Sequence, residues 1–535
     1  MAGLRIDLVS VFPEFFDVLD LSLVGKARRR DVVDIRTHNL RDWTSDVHRT
    51  VDDTPIGGGA GMVMKPDVWG RALDDLIGPS TPETITLAIP TPSGRPLTQR
   101  LVEDLAIRER IIIACGRYEG IDARVAEYYR GHGVRVEEFS LGDYVLNGGE
   151  VAAVALVEAV TRLIPGMVGN PESLVEESHG AAGLLEYRVY TRPVSWRELE
   201  VPAVLLSGNH GAVARYRRDE AIARTAARRP DMIAELDTSQ LDKHDRPALA
   251  AAGYVWRTSD SHPVAVDTEV LGAAGAVVPG DGARLYETLS GEALENGLDP
   301  DGAFPNETRP DVAFPDKARP DGAFPNETRP DGAFPDGARR RTATELAELA
   351  TRTFPDACPR YLSEADIAAF VAENLSVAAF ENYLADPHWM AVVVRAASGA
   401  SRGELLGYSL TLLPDSVVGM GGDDVAGRED GAPFTHLPDR DGPLLELSKF
   451  YVERSWHGSG VADLLWRATV EACRARISDV DAAPAPYLWL GTNKDNRRAQ
   501  RFYKRCGFRK VATREFQVGE VVNSDLIFAC PLTVA

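Results

Sequence analysis

Cysteine is scarce and scattered. The five in 535 residues (Cys115, Cys358, Cys473, Cys506, Cys530) share no short spacing, which excludes a zinc finger, a redox dithiol and a disulfide framework. Long apolar runs are missing too: no window approaches the roughly 18 residues of a membrane span. The opening stretch Met1–Val9 alternates like a strand instead of running basic-then-apolar, so a secretory leader is not expected. Positive charge is also in short supply. The chain has 59 Lys+Arg against 80 Asp+Glu, a net charge of −21. Together these absences predict a cytoplasmic protein with no membrane partner.

What is present fits a core-forming chain of two to four domains, with 44% hydrophobic and 26% charged residues. The charge is uneven. Residues 1–230 carry 28 basic and 33 acidic residues, so most of the acidity lies downstream, and the low pI does not exclude a nucleic-acid partner for the first half. From Pro300 to Arg339 a ten-residue unit repeats as PDGAFPNETR, PDVAFPDKAR, PDGAFPNETR and PDGAFPDGAR. Proline every fifth residue breaks helices and central strands. The segment therefore reads as a semi-extended spacer, with Phe304, Phe314, Phe324 and Phe334 as alternative docking points. With the Ala-, Gly- and Asp-rich stretch before it, residues 241–341 are expected to form a flexible linker between two machines.

Short apolar strands alternate with helices in the first block: Arg5–Val11, Val33–Thr37, Thr84–Ile89, Ile111–Cys115 and Val134–Glu137. This pattern predicts an α/β domain with a parallel sheet. Ligands of such sheets lie beyond the carboxyl ends of the strands. Three glycine-bearing loops fall there: Pro90–Gly94, Cys115–Gly120 and Ser140–Glu150. They would line an adenosine-like ligand with main chain, although none is a dinucleotide fingerprint or a Walker A loop.

Several strings in this block, TVDDTPIGGGAGM (50–62), CGRYEGID (115–122), SLGDYVLNGGE (140–150), RLIPG (162–166), LLEYRVYTRP (184–193) and VPAVLLSGNH (201–210), resemble the bacterial tRNA (guanine-37-N1)-methyltransferases over about residues 4–233. The resemblance implies a knotted SPOUT-class S-adenosylmethionine domain (1–165), a mobile connector (166–183) and a small helical tRNA-binding domain (184–240), working as a homodimer with Mg²⁺. It places S-adenosylmethionine against Thr91, Pro92, Gly94, Gly116, Tyr118, Glu119, Leu141, Gly142, Asp143, Tyr144, Val145, Leu146, Gly148 and Gly149. Methyl transfer to a protonated guanine N1 needs a base at N1 and a cation near O6. Glu177 stands where the family has its aspartate base, and Arg162 matches the O6-side arginine. The substrate implied is the tRNA anticodon stem-loop with guanosine 37. Arg217, Arg224 and Arg228 stack on one helical face, flanked by Arg215 and Arg218, to meet its phosphates. Tyr190, Trp196 and Tyr216 are candidate stacking platforms. No dedicated metal cage is visible.

The second block, residues 342–535, resembles the GNAT N-acetyltransferases, an α+β fold. Its strand–glycine turn–helix stretch, His457-Gly458-Ser459-Gly460-Val461-Ala462, is a ready anion site, and Asn-x-x-Ala-x-x-Phe-Tyr-x-x-x-Gly-Phe is met in full at 496–508. The resemblance implies acetyl-CoA held by Val452, His457, Gly458, Gly460, Val461, Ala462, Asn496 and Tyr503. Tyr503 would protonate the leaving thiolate. Glu446, placed by period two on the strand face of Val452, would serve as the base for an amine or protein acceptor. Against this two-enzyme reading stand a tRNA-binding module with weakened chemistry and a non-catalytic coenzyme sensor.

Overall fold

The computed structural model describes residues 4–167, 178–180, 182–272, 336–359, 362–414, 417, 442–478, 486–518 and 521–532. They fall into two compact units, Met1–Ala182 and Gly183–Ala535.

The first unit is built on β1 (Leu4–Ser10), β2 (Val33–Asn39), β5 (Ile85–Pro96), β6 (Arg110–Ala114) and β7 (Arg135–Ser140), with a small β3–β4 ribbon at Asp52–Asp53 and Val63–Met64. The five long strands form one parallel sheet in the order β2-β1-β6-β5-β7. The run Arg110-Ile111-Ile112-Ile113-Ala114 is buried from end to end, as a central parallel strand covered on both faces requires. Separate apolar clusters cover the two faces, one around Leu8, Ile113 and Leu156 and the other around Trp69, Leu87 and Ile112. The sheet expected from the sequence is present. One detail differs: the Pro90–Gly94 loop bulges out of β5, which rejoins β7 at Arg95 and Pro96. Pro90 and Pro92 lack the N–H groups that would continue the ladder.

In the second unit, the helix His210–Arg228 is capped by Asn209, whose Oδ1 accepts from the Ala212 N–H at 3.1 Å. It shares a core with Leu184, Ile233, Leu236, Leu249 and Trp256. A small β8–β9 ribbon (Ser195–Trp196, Leu199–Glu200) precedes it. The rest of the unit is an eight-stranded sheet, β10 (Tyr254–Val255), β11 (Val264–Leu271), β12 (Trp389–Ala396), β13 (Leu405–Leu412), β14 (Leu444–Val452), β15 (Tyr487–Asn493), β16 (Arg509–Val518) and β17 (Val521–Pro531), in the order β10-β11-β12-β13-β14-β15-β17-β16.

This sheet corrects the expected linker at 241–341. Its first part is folded: Arg246–Ala251 is a helix, and β11 pairs antiparallel with β12 from Val266↔Ala396 to Leu271↔Ala391. The sheet of the acetyltransferase-like fold therefore starts well before residue 342. The chain then returns through the helix Asp336–Ala357, which packs with Leu271, Ala391 and Val393. Residues 273–335, holding nearly all of the decapeptide repeats, lie outside the described residues. The two ends that flank them belong to one core.

Candidate active sites

In the first unit the three glycine loops converge. Gly149 N–H donates to Gly116 O at 2.9 Å, Leu97 N–H donates to Ser140 O at 2.8 Å, and Arg117 bridges Gly148. Gly94 lies so close to the next strand that a Cβ there would stand 2.5 Å from the Phe139 N. A Cβ on Gly148 would stand 2.3 Å from Arg117 Nε. Glycine is required at both positions because other atoms already occupy that space. Tyr118, Tyr144 and Val145 stay exposed at the rim. The main-chain N–H and C=O groups that these loops bring together could hold S-adenosylmethionine.

A buried carboxylate that the sequence reading left without a role ties the loops together. Glu150, 1% exposed, accepts from Ser10 Oγ at 2.6 Å and from Arg117 Nε at 3.0 Å. Arg117 also lies over the Phe12 ring at 4.7 Å. Glu150 opens the helix Glu150–Thr161, where a carboxylate is favoured by the helix dipole. Arg162 closes the same helix, its N–H donating to Glu158 O at 3.3 Å. Cys115, fully buried beside this loop, has its thiol pushed well up by burial and then by the Glu150 charge, so it is no nucleophile. Glu177 lies outside the described residues.

The arginine face of His210–Arg228 divides in two. Arg215 contacts Asp219 at 2.7 Å and Asp245 at 2.9 Å, and Arg218 reaches Asp245 at 3.2 Å. These two guanidinium groups are held by carboxylates. Arg217 lies over the Tyr187 ring at 4.8 Å. Arg228 is exposed and Arg224 half-buried. Trp196 is exposed and lies under Arg197 at 4.8 Å.

In the second unit β14 and β15 pair in parallel only over Leu444–Glu446 and Tyr487–Trp489, although β14 runs on to Val452 and β15 to Asn493. The strands diverge and leave a wedge whose β14 wall ends in the glycine turn. Gly458 (φ 76°) and Gly460 (φ 108°) form that turn, and Val461 and Ala462 open the helix Val461–Ser478. The Val461 N–H donates to Ser459 Oγ at 3.4 Å and the Leu464 N–H to Gly460 O at 3.1 Å, while the intervening N–H groups of Ala462 and Asp463 have no helical acceptor. The wedge and the turn fit the pantetheine and phosphate parts of acetyl-CoA. His457 Nε2 lies 3.0 Å from Val452 O, and Arg498 contacts both ring nitrogens at 2.8–2.9 Å. Burial and the Arg498 charge hold the imidazole below its usual value. Asn496 spends its side chain capping the helix Arg497–Arg505, accepting from Ala499 N–H at 3.1 Å. Tyr503 is buried against Phe450 and Phe508, and burial pushes its hydroxyl up.

Glu446 is not on the face of Val452. A bulge in β14 pairs Thr411 with Leu447 but Leu410 with Lys449, so the period-two count slips by one at Ser448. Glu446, Lys449 and Tyr451 share one face, while Leu447, Phe450 and Val452 share the other. Burial raises the Glu446 carboxyl and lowers the Lys449 ammonium, and their mutual attraction opposes both shifts.

Residues 4–235 match the family model described as tRNA (Guanine-1)-methyltransferase TrmD, and residues 344–508 match the Acetyltransferase (GNAT) family. A tRNA (guanine-N(1)-)-methyltransferase from Bifidobacterium longum subsp. infantis is 56% identical over 268 residues, 49% of this chain and 98% of that protein. The chain belongs to the tRNA (guanine-1)-methyltransferase family. Similar figures hold for two other tRNA (guanine-N(1)-)-methyltransferases. That of Cutibacterium acnes is 58% identical over 43% of this chain and 96% of its own length, and that of Renibacterium salmoninarum is 53% identical over 47% and 95%. Matches across almost the whole length of these methyltransferases do not favour the reading of the first half as a mere binding module. This tRNA (guanine-1)-methyltransferase carries a GNAT acetyltransferase domain beyond the length of those relatives. S-adenosylmethionine and acetyl-CoA follow from the two families, and tRNA follows as the substrate of the first. Among the described residues no His/Cys/Asp/Glu group could hold a metal ion, and no helix is long and apolar enough to cross a membrane.

Proposed function

We propose that the first half methylates N1 of guanosine 37 in tRNA, with Glu177 removing the N1 proton and Arg162 facing O6. The observation that carries this reading is the convergence of the glycine loops, tied together by Glu150 and Arg117. S-adenosylmethionine supplies an electrophilic methyl group when bound. The three loops hold it, and Arg162 offsets the charge that grows on O6 as the proton leaves. Arg224 and Arg228 are the phosphate contacts, and any Mg²⁺ arrives with the tRNA. Phe12, Phe15, Val18, Leu21 and Leu23 are exposed together on the first unit. An apolar group of this kind supports a homodimer, the partner copy covering it.

The second half acetylates an amine. Glu446, its carboxyl raised by burial, takes a proton from the acceptor amine, and Tyr503 gives one to the departing thiolate. The identity of the acceptor depends on groups outside β14.

The test uses unmodified tRNA transcripts with guanosine at position 37, S-adenosylmethionine, Mg²⁺ and the full chain. After digestion, 1-methylguanosine is read by mass. The wild type forms it, and Glu177→Gln loses roughly 100-fold or more, the usual weight of a general base. Tight tRNA binding without any methylation by the wild type overturns the reading.

A further inference from the structure

Residues 246–259 lie outside both family-matched spans, yet they pack against the glycine turn. Trp256 N–H donates to Ser459 O at 3.3 Å, and the Arg257 guanidinium lies 4.2 Å over the Trp456 ring. Together with Ser455, His457 and Gly458 this segment encloses a cleft of about 360 Å³ directly above the glycine turn. Two arginines line it, and they differ. Arg257 is neutralised by Asp260, which accepts from its Nε at 3.0 Å, from NH2 at 2.8 Å and from its main-chain N–H at 2.7 Å. Arg246 forms no ion pair among the described residues, and its Nε is buried without a hydrogen-bond partner. Its NH1 lies 3.6 Å from where a Cβ on Gly458 would stand, with Cζ 5.1 Å from the Trp256 ring. A guanidinium with a buried unmet donor, lining a cleft with His457, Gly458 and Ser459 of the glycine turn and with no carboxylate of its own among the described residues, calls for an anion.

Its neighbour fixes its position. Asp245, 2% exposed, is clamped by Arg215 and Arg218 from the helix His210–Arg228. The glycine turn itself offers His457 where the family pattern has Arg or Gln, and that imidazole is already engaged by Arg498.

We propose that Arg246 binds a phosphate of the nucleotide end of acetyl-CoA, so that the helix closing the tRNA-binding region supplies a specificity residue to the acetyltransferase. This rests on the acetyl-CoA reading of the second half. The exposed hydroxyls of Thr258 and Ser259 stand at the rim of the same cleft.

Calorimetric titration of the full chain with coenzyme A and with 3′-dephospho-coenzyme A tests it. Arg246→Gln weakens coenzyme A about ten-fold, and Arg246→Lys recovers part of the loss. Weakening of both ligands assigns Arg246 to the pyrophosphate, and weakening of coenzyme A alone assigns it to the 3′-phosphate; either supports the proposal. Equal affinity in wild type and Arg246→Gln overturns it and leaves the acetyl-CoA reading standing. No binding to the wild type overturns both. If the variant fails to fold, phenylglyoxal labelling of the wild type decides: coenzyme A protects Arg246 if the proposal holds, and unprotected labelling sinks it.

Discussion

Asp7 is a buried carboxylate in the middle of β1, held by two arginines and a histidine. Arg5 and His38 reach one of its oxygens at 2.9 Å, and Arg110 reaches the other at 2.8 Å. Burial alone would raise its carboxyl, but the hydrogen bonds from His38 and Arg5 and the Arg110 charge bring it down to about 2. A depressed acid contributes stability above its unfolded value, near 3.9, and loses it as pH falls through the folded value. A shift of this size corresponds to about 2 kcal/mol. Removing the charge also strands Arg110, so Asp7→Asn should cost about 3 kcal/mol at neutral pH. Urea unfolding at pH 5 and at pH 2.5 checks this: the gap between wild type and variant narrows at the lower pH, and a constant gap contradicts the account. Nothing in the string Leu4–Ser10 announces the cluster, because its three partners lie on three strands or at a neighbouring position in one. By contrast, the close packing at Gly94 and Gly148 was legible from their places in loops after strands.

At the scale of elements, legibility depended on how far a strand's partner lies along the chain. Ile111–Ile113 declares a central strand by its own composition, and the motif at 496–508 declares its helix by local spacing. β11 (Val264–Leu271) buries Val264 and Val266 on one face and Leu271 on the other, a weak pattern by itself, and its partner β12 begins only at Trp389. The slip at Ser448 was hidden for a related reason: a bulge is decided by the opposing strand, so counting along β14 alone assigned Glu446 to the wrong face. A chain cut to residues 342–535, the bounds suggested by the motifs, loses β11 and leaves β12 as a long apolar edge. The lost burial of three aliphatic side chains is worth about 5 kcal/mol, comparable with the net stability of a domain. That fragment should elute as aggregates in size-exclusion chromatography, while a chain starting at residue 241 elutes as a discrete species.

For the whole molecule, the repeat segment does not separate one enzyme from the other. β11 before it and the helix Asp336–Ala357 after it share the core around Leu346, Phe380 and Val393. A protease cut within 273–335 should therefore leave two fragments that co-elute under native conditions and part only in denaturant. Separate elution in native buffer would contradict the shared core. The acetyltransferase sheet also begins directly after the helices around His210–Arg228, with Trp256 belonging to their core while its main chain bonds the glycine turn.

The same arrangement has a consequence for synthesis on the ribosome. β11 is made more than a hundred residues before β12, the strand that covers its long edge. At about 5–20 residues per second, β11 must wait on the order of 5–20 s with only the two-residue ladder of β10 beside it. During that interval the emerging chain includes the proline-punctuated repeat of residues 300–339, a composition that disfavours pairing with an open strand edge. Whatever else the repeat does, its sequence suits a nascent chain that must keep one apolar strand from finding the wrong neighbour before the right one exists.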